Sequence, residues 1–214
     1  MKFEELLQIV GDEPVFDSGL LLAGDINEKD VRKQLSRWTR SGKLIQIRRG
    51  LYALAPPHQK VRPHPFTVAN LLMRGSYVSC ESALAHYGMI PEYVPVTVSV
   101  SVSRPGRWVT SLGVYQFHHI RPSMHFGYGQ VSCEPGGAEA MVAFPEKALL
   151  DLIYLRNQGD RVEFIRSLRL QNLNQIKEEK LIAFAEKSKS KKLIRSVQTV
   201  LDLVYEEKRE YQPL

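Results

Sequence analysis

The chain has 214 residues, 43% of them hydrophobic and 24% charged, which suits a soluble globular protein of two small domains or one medium one and excludes a mainly disordered chain. Its longest apolar runs, such as residues 94–102, are broken by serines and fall far short of the ~20 residues of a membrane helix, so no membrane partner is expected. With only two cysteines, Cys80 and Cys133, and no apolar stretch behind a basic start, neither a disulfide scaffold nor a signal peptide is expected, and the cytoplasm is the expected location. The net charge of +6 matters less than its distribution. Between Met1 and Glu28, seven acids face a single base, Lys2. Between Lys29 and Arg49, eight bases accompany Asp30 alone. Such a switch is the footprint of a polyanion-binding segment if folding gathers the charges on one face.

Phe3, Leu6, Leu7 and Val10 have the spacing of one buried helical stripe, which Gly11 ends. Asp17 or Ser18 can cap a second short helix through Leu20, Leu21, Leu22 and Ala23, stopped by Gly24. Asn27 caps a third, running to about Ser41, in which Val31, Leu35 and Trp38 face the core while Arg32, Lys33, Ser36, Arg37 and Arg40 take the remaining circumference. Residues 44–47 and 51–54 are β-prone runs around Arg48-Arg49-Gly50, a hairpin whose glycine supplies the positive φ of the turn. Three helices, the third basic, followed by a hairpin with arginines at its tip predict a winged helix-turn-helix over residues 1–57. Its DNA-binding set is Lys29, Arg32, Lys33, Ser36, Arg37, Arg40, Lys43, Arg48 and Arg49. The third helix would enter the major groove, and the wing would reach an adjacent backbone or minor groove.

Residues 55–65, with Pro56, Pro57, Pro63 and Pro65, read as a semi-rigid linker between independent halves. Residues 66–214 then predict a mixed α/β domain, which makes the whole chain α+β. Helices are expected at 66–73 and 81–87, with a short strand at 77–79 between them. Residues 94–103 alternate valine with serine or threonine, the period of a strand buried on one face. Further strands are expected at 113–120, 128–132 and 140–144. From Pro145 the chain turns helical, with later helices near 162–170, 175–186 and 191–208.

Chemistry in this second part is weighed residue by residue. Glu81, Glu146, Lys147 and Asp151 invite a metal-dependent nuclease reading, but no strand carries the Asp/Glu-x-Lys arrangement, and Glu146 at a helix start is explained by the helix dipole, so no catalysis is expected. His118, His119 and His125 with Cys80 and Cys133 lack the paired short spacings of a zinc site, and adjacent His118 and His119 would point to opposite faces of a strand. No metal or cofactor is expected. The basic cluster Lys187, Lys189, Lys191, Lys192 and Arg195 admits three readings: a solvated surface, an auxiliary DNA contact, or a surface for an acidic or RNA-bound partner.

Several segments resemble the AbiE-type (AbiEi) antitoxins of type IV toxin-antitoxin and phage abortive-infection systems. They are the wing Arg48-Arg49-Gly50-Leu51-Tyr52, the run from Ser79 through His86-Tyr87-Gly88 with Ile90-Pro91-Glu92, Phe117-His118-His119-Ile120, Phe126-Gly127-Tyr128, and the run from Phe144 to Leu152. The resemblance implies a bacterial or archaeal repressor that binds duplex DNA at the operator of its own operon. It also implies that the second domain counters a cognate nucleotidyltransferase-like toxin. Two other classes stay open: a stand-alone winged-helix regulator whose C-terminal domain senses a ligand or dimerises, and a nucleic-acid-processing enzyme.

Overall fold

A computed structural model of the protein describes residues 1–22, 27–133 and 139–210. The first unit begins with helix α1 (Phe3–Val10), which buries Phe3, Leu6 and Val10 and ends at Gly11 with φ +58°. Strand β1 (Phe16–Asp17) follows, then a three-ten turn, Ser18–Leu22, where an α-helix was expected. The Asp17 carboxylate accepts the Gly19 amide at 2.8 Å and β1 is held in a sheet, so the turn is tied to the strand before it and winds as a short three-ten piece. The expected end of that helix, Ala23-Gly24, lies outside the described residues. Helix α2 (Glu28–Arg40) starts where the Asn27 side chain accepts the Lys29 amide at 2.9 Å. Strands β2 (Leu44–Arg48) and β3 (Leu51–Leu54) form the hairpin, with Gly50 at φ +83° in its turn. The three strands lie in the order β1-β3-β2.

The remaining chain builds around a six-stranded mixed sheet. In sequence come α3 (Pro65–Leu72), β4 (Tyr77–Val78), α4 (Cys80–His86), β5 (Val96–Ser101), β6 (Gly106–Thr110), β7 (Gly113–His119), β8 (Tyr128–Ser132) and β9 (Glu139–Ala143). Helices α5 (Pro145–Leu155), α6 (Val162–Ser167), α7 (Glu178–Ser188) and α8 (Lys191–Glu210) complete it. The order is β6-β7-β5-β4-β9-β8, with β5–β7 and β4–β9 parallel. The α+β class is therefore as expected, whereas β6 was not anticipated. Strand β4 is too short to cover the length of β5. The Ser82 hydroxyl of α4 continues the ladder beyond it, donating to the Val96 carbonyl at 3.0 Å and accepting the Val98 amide at 2.8 Å.

Two hydrophobic clusters hold the molecule together. The smaller joins Phe3, Leu6, Val31, Leu35 and Trp38, with the Trp38 and Phe3 rings edge-to-face at 5.3 Å. The larger spans the six-stranded sheet and its helices, and it also takes in Val15, Ile47, Leu51 and Ala53 of the first unit alongside Val68 and Leu72 of α3. The proline-rich stretch folds back on the first unit: the His58 ring meets Phe3 at 4.9 Å and Lys60 pairs with Asp12 at 2.9 Å.

Candidate nucleic-acid interface

Helix α2 divides its circumference cleanly. Val31, Leu35 and Trp38 are buried, and opposite them Lys29, Lys33, Ser36 and Arg40 follow one another at the i, i+4, i+7, i+11 spacing of a single exposed row, flanked by Arg32 and Arg37. Cations that would repel one another in an isolated helix are held in that row by the apolar stripe behind it. A helix of 13 residues is about 20 Å long and narrow enough to lie in a major groove about 12 Å wide.

Some of these charges already have local partners. Arg32 meets Glu28 at 2.5 Å, Lys33 approaches Asp30 at 3.8 Å, and the Arg40 Nε donates to the Ser36 carbonyl at 3.5 Å. All are exposed, so a phosphate can displace them at little cost. Lys29, Arg37 and Arg49 have no ion pair among the described residues. Lys43 is half-buried with its ammonium 4.5 Å from the centre of the Phe3 ring, which ties it to α1. Beside it, β1 and the three-ten turn seat the hairpin: the Ser18 amide donates to the Gly50 carbonyl at 2.8 Å.

Arg48 does not join the exposed group. Its guanidinium donates to the Leu71 carbonyl at the end of α3 at 3.4 Å and to the Arg49 carbonyl at 3.2 Å, and its Nε is buried. Only Arg49 of the hairpin arginines is exposed at the turn.

The second basic cluster disperses on folding. Lys187 lies over the Phe126 ring at 4.6 Å, Arg195 pairs with Asp160 at 2.7 Å, and Lys192 donates to the carbonyls of Tyr154 and Arg156 at the end of α5. Three of its five cations are thus occupied in packing and capping, as a helix C-terminus favours. The carboxylates weighed for catalysis are also spread apart. Glu81 meets Arg156 at 2.7 Å, Glu146 accepts the Lys177 amide at 2.8 Å, and Asp151 pairs with Lys147. Among the described residues no group of three or more His, Cys, Asp or Glu could hold a metal ion. His118 and His119 do point apart: His119 bonds the Ser103 carbonyl at 3.1 Å, while burial depresses the basicity of the His118 imidazole.

The Lys147–Asp151 pair was not recognised as a unit in the sequence. Both side chains are essentially inaccessible, the Tyr77 hydroxyl and the Ser79 hydroxyl donate to the second Asp151 oxygen at 3.0 and 2.7 Å, and Lys147 also donates to the Tyr77 oxygen at 2.9 Å. The signal was present: a charged i, i+4 pair inside Ala148, Leu149, Leu150, Leu152 and Ile153 belongs to a helix apolar on every side, where charges must be paired in the interior.

An α+β protein that sets a basic helical row beside a short hairpin is thereby defined by its structure. Residues 29–55, from α2 through the hairpin, match the family described as "Transcriptional regulator, AbiEi antitoxin", so the resemblance read in the sequence holds over that segment. The further segments noted between residues 79 and 152 lie outside the match. No curated protein matches the chain. Among solved structures, the RV2827C protein from Mycobacterium tuberculosis is similar, with a TM-score of 0.55 and 13% identity over 99% of this chain and 82% of that one. At that identity the likeness concerns the fold alone. No helix of the described residues is long and apolar enough to cross a membrane.

Proposed function

We propose that the protein is a DNA-binding transcriptional regulator in which α1, the three-ten turn, α2 and the β2–β3 hairpin act as a winged helix-turn-helix, with α2 lying in the major groove. The observation that carries this reading is the exposed row Lys29, Lys33, Ser36 and Arg40 opposite the buried row Val31, Leu35 and Trp38. The sheet order β1-β3-β2 supports it, because the first strand is the one that fixes the hairpin beside α2. Arg49 is the wing contact with the backbone, while Arg48 and Lys43 act through packing. The match over residues 29–55 supports the regulator reading. We further propose, from the antitoxin description of that family, that the protein represses its own operon in the cytoplasm and that its second domain, which lies outside the match, counters a nucleotidyltransferase-like toxin. No reaction is assigned to that second domain.

The test is a titration of the full chain against duplex DNA from upstream of its own gene. If about six phosphates are neutralised per bound domain, log K falls with log[salt] at a slope near −5. Loss of Arg37 or Ser36 to alanine costs about 1 to 3 kcal/mol at the specific site and little on unrelated DNA. A flat salt dependence overturns the DNA reading. Absence of a nucleotidyltransferase-like toxin gene from its operon, or failure of the chain to restore growth beside such a toxin, overturns the antitoxin assignment alone.

A further inference from the structure

The sheet of the second unit is wider than the helices laid over it. In register, Val98 of β5 stands beside Gln116 of β7, and Gln116 beside Arg107 of β6, so these three side chains share one face of the sheet. Val96 and His118 lie on that face too, two residues along their strands. The opposite wall of the resulting cleft is built by Glu81 of α4 and by Leu152 and Arg156 at the end of α5, with Ile90 and Leu168 closing it. Its volume is about 570 Å³, within the range of about 300–1,000 Å³ typical of small-molecule sites.

Two observations say what it takes. The first lies along β5: Thr97, Ser99 and Ser101 are buried on one face, whereas on the other Val100 is buried but Val96 and Val98 are only partly covered and line the cleft. Apolar strand surface left uncovered favours an apolar body on top of it. The second is charge. Arg156 is paired with Glu81 at 2.7 Å and Glu92 lies 3.6 Å from Arg169, which leaves Arg107 as the cleft guanidinium with no carboxylate partner among the described residues. A single planar fork suits a monoanion held bidentately. Burial disfavours the charged form of the His118 imidazole, which can offer a hydrogen bond to a group held beside it.

We propose that this cleft binds a small amphipathic carboxylate, its aromatic or branched aliphatic body against Val96, Val98 and Leu152 and its carboxylate on Arg107, with Gln116 and His118 beside it. The inference does not rest on DNA binding. The full chain is titrated calorimetrically with isovalerate, phenylacetate and naphthoate, each beside its uncharged amide, while the methyl resonances of Val96 and Val98 are followed by NMR. At least one carboxylate should saturate and shift those methyls, with its amide about tenfold weaker or more. Arg107→Ala, at an exposed strand position that tolerates truncation, should lower the affinity of the acid to that of the amide. The proposal is overturned if no acid saturates in the millimolar range, if acid and amide bind alike, if Arg107→Ala leaves the acid unaffected, or if saturation occurs without shifting Val96 and Val98.

Discussion

The Arg48 guanidinium donates to the carbonyl of Leu71, 23 residues further along the chain, at 3.4 Å, so the hairpin is pinned to the last turn of α3. The contact separates the two neighbouring arginines, which read alike in sequence. Arg48→Ala is expected to cost about 1 kcal/mol of stability through the lost hydrogen bond, with DNA affinity nearly unchanged once the protein is folded. Arg49→Ala should leave the melting temperature in place and weaken binding to all DNA sequences about equally, with a shallower salt slope. Thermal melts and DNA titrations on both variants check this, and a larger loss of DNA affinity for Arg48→Ala than for Arg49→Ala would reverse the roles.

The same seam governs how the chain responds to cutting. Lys60 and Arg62 are exposed in the proline-rich stretch, while Ile47, Leu51 and Ala53 share one hydrophobic cluster with Val68 and Leu72. Limited trypsin digestion should nick after Lys60 first, since Pro63 protects the bond after Arg62, and the two pieces should still co-elute in size-exclusion chromatography. Separate elution under native conditions would show that the shared cluster contributes little.

Trp38 is only 6% exposed and packs edge-to-face on Phe3. Truncation to alanine removes the link between α1 and α2, and Trp38→Ala should cost about 3 to 5 kcal/mol, enough to melt the first unit. DNA binding should vanish with it. A folded Trp38→Ala variant with unchanged affinity would mean that α2 is oriented by something other than this contact.

In the second unit the buried Lys147–Asp151 pair should be costly to break and cheap to replace. Lys147→Met alone leaves the Asp151 carboxylate with only the Tyr77 and Ser79 hydroxyls, and Asp151→Leu alone strands the ammonium. Each should cost about 3 to 5 kcal/mol, whereas the double variant Lys147→Met/Asp151→Leu should lose less than either. Chemical denaturation of the three proteins forms a double-mutant cycle, and simple additivity would show that the two charges do not depend on one another.

The sequence by itself determined the elements whose ends are written in local chemistry. Asn27 before α2, Gly11 after α1 and Gly50 in the hairpin turn fix boundaries through a cap or a positive φ, which depend on near neighbours only. The spacing of Val31, Leu35 and Trp38 likewise showed which face of α2 is buried, and with it the basic row left outside. Strand β6 escaped notice because Arg107 and Val109 are exposed while Trp108 is half-covered, so its alternation places an apolar residue on each side. Only the tertiary structure decided that Arg48 turns toward α3 while Arg49 stays in solvent, that the proline-rich stretch packs on Phe3, and that Lys147 and Asp151 meet Tyr77 inside the core. These outcomes depend on partners 23 to 74 residues away, whose approach is set by how sheets and helices stack; the local pattern marks Lys147 and Asp151 as a buried pair but does not say that they meet Tyr77.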